Sequence, residues 1–283
     1  MAIQKVGIVG AGTMGNGIAQ VCAVAGFDVV MVDIDDAALQ KGTASLSRSL
    51  ARLVEKGKVD ASAREAALAR IVTSTDYQHF ANADIVIEAA TEQAELKGRI
   101  LKQIESVTKD DAILATNTSS ISITKLATSL ADPARFVGMH FFNPVPLLPL
   151  VEVIRGLQTS DTTVSVTREL AERLGKSPIV VRNSPGFVVN RILVPMLNEA
   201  FSVLAENIAT PEEIDEGMKL GANHPIGPLA LADLIGLDVR LSVMDVYLKD
   251  FGDSKYRASP LLRELVTAGR LGRKTGHGVY KYD

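Results

Sequence analysis

The sequence has 283 residues, 47% of them apolar and 22% charged, with 30 Lys and Arg against 33 Asp and Glu. This length holds one large domain or two moderate ones, and the apolar share supplies a core and excludes a disordered chain. A net charge of −3 excludes a general attraction to nucleic acid or anionic membranes, and one Cys with four His gives neither an intrachain disulfide nor metal-ligand spacing.

The first predicted strand is Val6-Gly7-Ile8-Val9. Gly10, Gly12 and Gly15 follow at the spacing G-x-G-x-x-G, with Thr13 and Met14 between them. Residues 16–25 read as a helix with Ile18, Ala19, Val21 and Cys22 on its apolar side, where Cys22 is a small core residue. A second apolar run, Val29 to Val32, ends in Asp33, eighteen residues past Gly15. Each part has a reason: Gly10 permits a tight turn, Gly12 admits a pyrophosphate to the backbone, and Gly15 lets helix and strand pack closely. The N–H groups at the helix start attract the anion. Asp33 stands where a carboxylate accepts from an adenosine ribose, and it repels a 2′-phosphate. With no Arg at 34–36, the pattern points to NAD rather than NADP.

A long helix is expected over 35–56, with Leu46, Leu50 and Leu53 inward and Lys41, Arg48, Arg52, Lys56 and Lys58 along the polar side. That basic series is either a solvated face or a contact for an anionic substrate. A short helix over 60–70 precedes strands at 71–73 and 84–87, a helix over 92–106 and a strand at 112–115 that runs into Thr116-Asn117-Thr118-Ser119-Ser120. Strands follow at 136–140 and 150–154, then a helix over 161–174 stopped by Gly175 and a last strand at 179–181. This alternation predicts an α/β, Rossmann-type doubly wound sheet, mostly parallel, with ligands bound outside the carboxyl ends of its strands. Asp33, Glu92, Asn117, Ser119, His140 and Asn143 all fall at those ends.

Past Ser184-Pro185-Gly186 the composition turns helical, which predicts a dinucleotide-binding domain over 1–183 and an all-helical domain over 184–283. Helices are expected over 187–206, from a Thr210-Pro211-Glu212-Glu213 capping box to Gly221, over 228–250, and over 260–268. A domain of this size buries a limited share of its surface alone, so helices 187–206 and 228–250 are expected to form a homodimer interface. No uncharged stretch reaches the roughly 20 residues of a membrane helix. The first strand begins close to Met1, so no targeting peptide is expected, and a soluble cytoplasmic protein is.

His140 lies among Phe136, Val137, Met139, Phe141 and Phe142. It is either a satisfied core residue or a base beside the cofactor crevice, where alcohol oxidation requires proton removal as hydride leaves. Glu152, twelve residues on, is either a surface strand residue or the carboxylate that orients this imidazole. Ser119 and Asn190 are candidate hydrogen-bond donors to a substrate carbonyl, against the ordinary roles of turn serine and interdomain contact. No G-x-S-x-G is present to support hydrolase chemistry.

Four segments together resemble the L-3-hydroxyacyl-CoA dehydrogenases: Gly7 to Gly15, Asn117 to Ser120, Gly138 to Val145, and Ser184 to Arg191. The resemblance extends to the tail, Gly272 to Tyr280, and so covers essentially the whole chain. One departure is Glu88-Ala89-Ala90-Thr91-Glu92, with Ala and Thr where many relatives carry larger apolar residues. The resemblance implies hydride exchange between NAD(H) and the 3-carbon of a short-chain (S)-3-hydroxyacyl-CoA, such as the 3-hydroxybutyryl-CoA and acetoacetyl-CoA pair. It implies His140 as general base with Glu152, and Ser119 and Asn190 at the substrate's 3-oxygen or acyl group. It places Glu92, Lys97, Asn117, Asn143 and Lys274 with Asp33 along the cofactor, and Ser49 and Lys56 on coenzyme A. It also implies a two-domain dimer; with Asn190 on the first helix of the helical domain and His140 on the other domain, the helical domain is expected to close over the acyl chain. Two other readings remain open at this point. A related hydroxyacid or gulonate dehydrogenase would act on the free acid, and a crystallin-like NAD-binding protein would bind NADH without turnover.

Overall fold

The computed structural model describes residues 3–282, which fall into one unit ending at Ser184 and another beginning at Pro185. In the first, fully buried Val6 and Ile8 hold strand β1 (Lys5–Val9) inside an eight-stranded sheet. On one side of β1 lie β2 (Asp28–Val32) and β3 (Ile71–Ser74). On the other lie β4 (Ile85–Glu88), β5 (Ile113–Thr116), β6 (Phe136–Phe141), β7 (Leu150–Arg155) and β8 (Ser177–Arg182). The order is therefore 3-2-1-4-5-6-7-8. It reverses direction between β1 and β4, the crevice where such sheets bind ligands.

Strands β1 to β6 are parallel, and β7 runs antiparallel to β6. Connection length explains the reversal. A parallel crossover needs about a dozen residues or more, and Phe142–Pro149 is too short to supply one. Strand β8 then returns parallel to β7 across helix α6 (Asp161–Arg173). Helices α1 (Thr13–Val24) and α2 (Asp36–Glu55) pack on one face with α3 (Ala61–Ala69). Their core includes Ile18, Cys22, Leu46 and Leu50 against Ile8, Met31, Ile87, Met139 and Val153. Each of the two buried leucines contributes about 1.5–3 kcal/mol by leaving water. Cys22 is wholly buried, and that burial pushes its thiol up to about 12. Helix α4 (Ala94–Val107) packs against β4, and α5 (Ile123–Ala127), a single turn the periodicity did not predict, packs against β6.

The second unit consists of α7 (Val189–Ala205), α8 (Pro211–Gly221), α9 (Pro228–Ile235), α10 (Leu237–Phe251) and α11 (Pro260–Thr267). Two expectations need correction. The helix predicted over 228–250 is two helices, because Gly236 sits at φ +109, outside helical geometry. The helix expected from 187 starts at Val189, because Phe187 adopts φ 52. Buried Asp215 accepts from Leu229 and Ala230 N–H at the start of α9 and from the Tyr280 hydroxyl. Asp233 accepts from Val279 and Tyr280 N–H and from the Tyr282 hydroxyl. Burial first, and then Asp233, push Tyr282 up to about 12. Among the described residues no helix is long and apolar enough to cross a membrane.

Candidate active site

The glycine turn follows β1 directly. Gly10 holds φ +99 and lies so close to the segment after β4 that a side chain there would strike Ala89 O and Ala90 Cα at 2.8 Å. A methyl on Gly15 would reach Gly10 O at 1.8 Å. Gly12 differs: nothing lies within 4 Å of the position its Cβ would take. It is the N-cap of α1 and provides no side-chain cap, so the helix begins with bare backbone amides beside open space. Such a cradle fits a pyrophosphate. Thr13 is exposed at its edge, and Met14 packs back on the core.

Asp33 stands at the carboxyl end of β2. Its Oδ2 accepts from Ala11 N–H at 2.6 Å and its Oδ1 from Ile34 N–H at 2.7 Å. One bond to each oxygen fixes the carboxylate and leaves each a further lone pair for a ribose diol. The residues therefore fit a dinucleotide. Tyr77, half-buried near this acid, belongs to no motif in the sequence. Burial, then the charges of Asp33 and Glu88, push its phenol up.

The ends of β4 and β5 are tied by a buried polar cluster. Glu88 Oε2 accepts from Lys97 Nζ at 2.6 Å and from the Thr116 hydroxyl at 2.6 Å, and Oε1 accepts from Ala90 N–H at 2.9 Å. The Lys97 and Glu88 side chains are both fully buried. Lys97, expected along the cofactor, donates to Glu88, to Thr116 Oγ1 at 3.1 Å and to Asn117 O at 3.0 Å. Glu88 was the available signal in the sequence, an acid closing an apolar strand.

Glu92, in the loop before α4, reaches across to the loop after β5. Its Oε1 accepts from the Thr118 hydroxyl at 2.7 Å, Ser119 N–H at 2.8 Å and the Ser119 hydroxyl at 3.0 Å. The structure thus brings Glu92 and Ser119 together. Asn117 lies just before them, and its Oδ1 accepts from Phe141 N–H at 2.9 Å.

His140 and Glu152 face each other in the antiparallel register of β6 and β7. Met139 and Phe141 point into the core with α1 and α6, so His140 points to the opposite face. Glu152 does the same between Val151 and Val153. Imidazole Nδ1 lies 2.7 Å from Glu152 Oε2, with the side chains 7% and 0% exposed. The Phe142 ring lies 4.4 Å from the imidazole, centroid to centroid. A buried carboxylate accepting Nδ1–H selects the tautomer whose basic nitrogen is Nε2, and it stabilises the imidazolium formed on proton uptake.

Asn143 is exposed just beyond β6. Ser49 lies half-buried on α2, with Lys56 exposed at that helix's C-cap. In the second unit Asn190 is the second residue of α7 and half-buried. Lys274 donates to both oxygens of Asp238, at 2.6 and 2.7 Å.

The family profile described as 3-hydroxyacyl-CoA dehydrogenase, NAD binding domain, matches residues 5–184. The profile of the 3-hydroxyacyl-CoA dehydrogenase C-terminal domain matches residues 186–282. The chain is 55% identical over 279 residues to a probable 3-hydroxybutyryl-CoA dehydrogenase of Deinococcus radiodurans, spanning 99% of this chain and 100% of that one. It is 49% identical over 280 residues to the 3-hydroxybutyryl-CoA dehydrogenase of Clostridioides difficile, with 99% and 100% covered. The crystal structure of (S)-3-hydroxybutyryl-CoA dehydrogenase from Ralstonia eutropha matches with a TM-score of 0.98 at 63% identity, over 100% of both chains. On both profiles and on identities of this size, the chain belongs to the 3-hydroxyacyl-CoA dehydrogenase family.

Proposed function

We propose that this protein is an NAD-dependent dehydrogenase acting at the 3-carbon of short-chain (S)-3-hydroxyacyl-CoA thioesters, with 3-hydroxybutyryl-CoA and acetoacetyl-CoA as its pair. The observation that carries the catalytic part is the buried His140–Glu152 pair at 2.7 Å. NAD, when held at the Gly12 turn and Asp33, supplies the hydride acceptor. His140 Nε2 takes the proton of the 3-hydroxyl as the 3-carbon is oxidised, and Glu152 stabilises the resulting imidazolium. In the reverse direction the imidazolium returns that proton to the oxygen. Ser119, held by Glu92, and Asn190 hydrogen-bond the 3-oxygen or fix the acyl group.

Asn143 and Lys274 serve the cofactor with Glu92, and Ser49 and Lys56 contact coenzyme A. Asp33, followed by Ile34-Asp35-Asp36, disfavours the 2′-phosphate of NADP. The protein acts in the cytosol as a homodimer formed through its helical domain; light scattering that finds only a 30 kDa species at micromolar concentration removes the dimer.

The test follows reduced-nicotinamide absorbance with acetoacetyl-CoA, then with NADPH and with free 3-hydroxybutyrate and NAD. Fast turnover is expected only with the thioester and NADH. His140→Gln is expected to lose about 10²–10⁴-fold in kcat while still binding NADH. Near-normal turnover by folded His140→Gln, or activity on the free acid alone, overturns the proposal.

A further inference from the structure

The ladder between β5 and β6 stops at the Thr116–Gly138 pair, before β6 reaches His140. On the β7 side His140 is held in register against Glu152. On the β5 side the next link is a side chain, the Asn117 carboxamide oxygen that accepts from Phe141 N–H at 2.9 Å. It stands in for a main-chain rung at the residue adjoining the imidazole.

Asn117 is itself clamped from behind. Its N–H donates to Glu88 O at 2.7 Å, and its carbonyl accepts from Lys97 Nζ at 3.0 Å. Lys97, Glu88 and Thr116 are wholly buried and bonded to one another. A buried ion pair adds little stability over well-packed apolar side chains, because desolvation offsets the attraction. What this cluster supplies is placement: it fixes the backbone from which the carboxamide reaches Phe141.

We propose that Asn117, with Lys97 behind it, is a positioning residue for His140: the carboxamide extends the β5–β6 pairing past its last backbone rung and sets the imidazole at its place opposite Glu152. This rests on the reading of His140 as the base. Misplacement of a reacting group by an ångström costs about 10²-fold, so a flexible end to β6 would be read directly in turnover.

The test compares Asn117→Ala and Asn117→Ser, neither of which reaches Phe141, with Asn117→Asp, which keeps the acceptor oxygen. The truncations are expected to lower kcat about 10- to 100-fold while the KM for NADH stays near wild type, and the aspartate variant is expected to recover most of the loss. A second readout uses the ligand-free protein. Its four histidines give few imidazole signals, and that of His140 is identified by its absence from His140→Gln. The His140 Nδ1–H resonance is expected to shift or exchange faster in the truncations and to return in Asn117→Asp. An Asn117 that only contacts cofactor raises the KM for NADH and leaves kcat and the imidazole spectrum unchanged, which overturns the proposal. Active His140→Gln overturns the base reading instead, while the imidazole spectrum still reports on positioning.

Discussion

Glu152→Gln isolates what the carboxylate does for the imidazole. The substitution keeps shape and volume at a site with no exposure, so the strand pairing and the core behind it stay intact. What is lost is one charge-assisted hydrogen bond at 2.7 Å, worth about 1.5–3 kcal/mol when an ionised group takes part. That stabilisation is greatest when the imidazole is protonated, which is the state reached as the substrate hydroxyl gives up its proton. At 1.36 kcal/mol per tenfold, the expected loss in kcat is roughly 10- to 150-fold. The amide can also turn its NH₂ toward Nδ1 and favour the tautomer with a protonated Nε2, which is no base and deepens the loss. The assay is steady-state reduction of acetoacetyl-CoA by NADH, with a melting curve for each protein. The KM for NADH should hold, since Glu152 is not assigned to the cofactor. A folded Glu152→Gln enzyme within about threefold of wild type in kcat refutes the reasoning.

The glycine turn separates folding from binding. Gly12→Ala adds a methyl that meets no protein atom, so its melting temperature should match wild type while NADH affinity falls by about tenfold or more; unchanged affinity by fluorescence titration contradicts the cradle assignment. Gly15→Ala drives a methyl into Gly10 O and should cost about 1–3 kcal/mol in urea unfolding; a wild-type midpoint rules that out. Asp84 gives a pH signature. Burial alone would raise its carboxyl, but hydrogen bonds from Lys109 and from the backbone N–H of Lys5 and Gln4 outweigh that and hold it below its usual 3.8. Because the folded value is depressed, its contribution is complete above 3.8 and is lost as the pH falls through the folded value. Asp84→Asn should therefore be less stable than wild type at neutral pH, with the gap closing in acid; a gap independent of pH in denaturant titrations overturns this.

The parts of the chain governed by period and punctuation were legible in the sequence. Apolar runs ending in a glycine turn or in polar residues marked strands β1, β2, β4, β5 and β6, because a strand buried on both faces leaves few other sequences possible. Asp33 was found for the same reason, as an acid at the end of such a run. What stayed illegible depends on partners distant in sequence. The burial of Lys97 on α4 depends on Glu88 and Thr116, which come to it from other elements. The spacing of His140 and Glu152 left two readings open, and only the antiparallel register chooses between them. The break at Gly236 was hidden because a lone glycine inside a helical pattern is often tolerated, and its positive φ is a property of the fold.

The reversal at β7 has a consequence for how this chain tolerates changes of length. Side chains alternate across a sheet, so one residue inserted or deleted within β7 ahead of Glu152 would rotate that carboxylate into the apolar layer and bring a valine opposite the imidazole. The Phe142–Pro149 connection is free of that parity rule, provided it stays too short to form a crossover. Natural variants and grafted loops should therefore accumulate indels between these strands and almost none within them, and a library of single-codon insertions across residues 142–155 would map that boundary residue by residue.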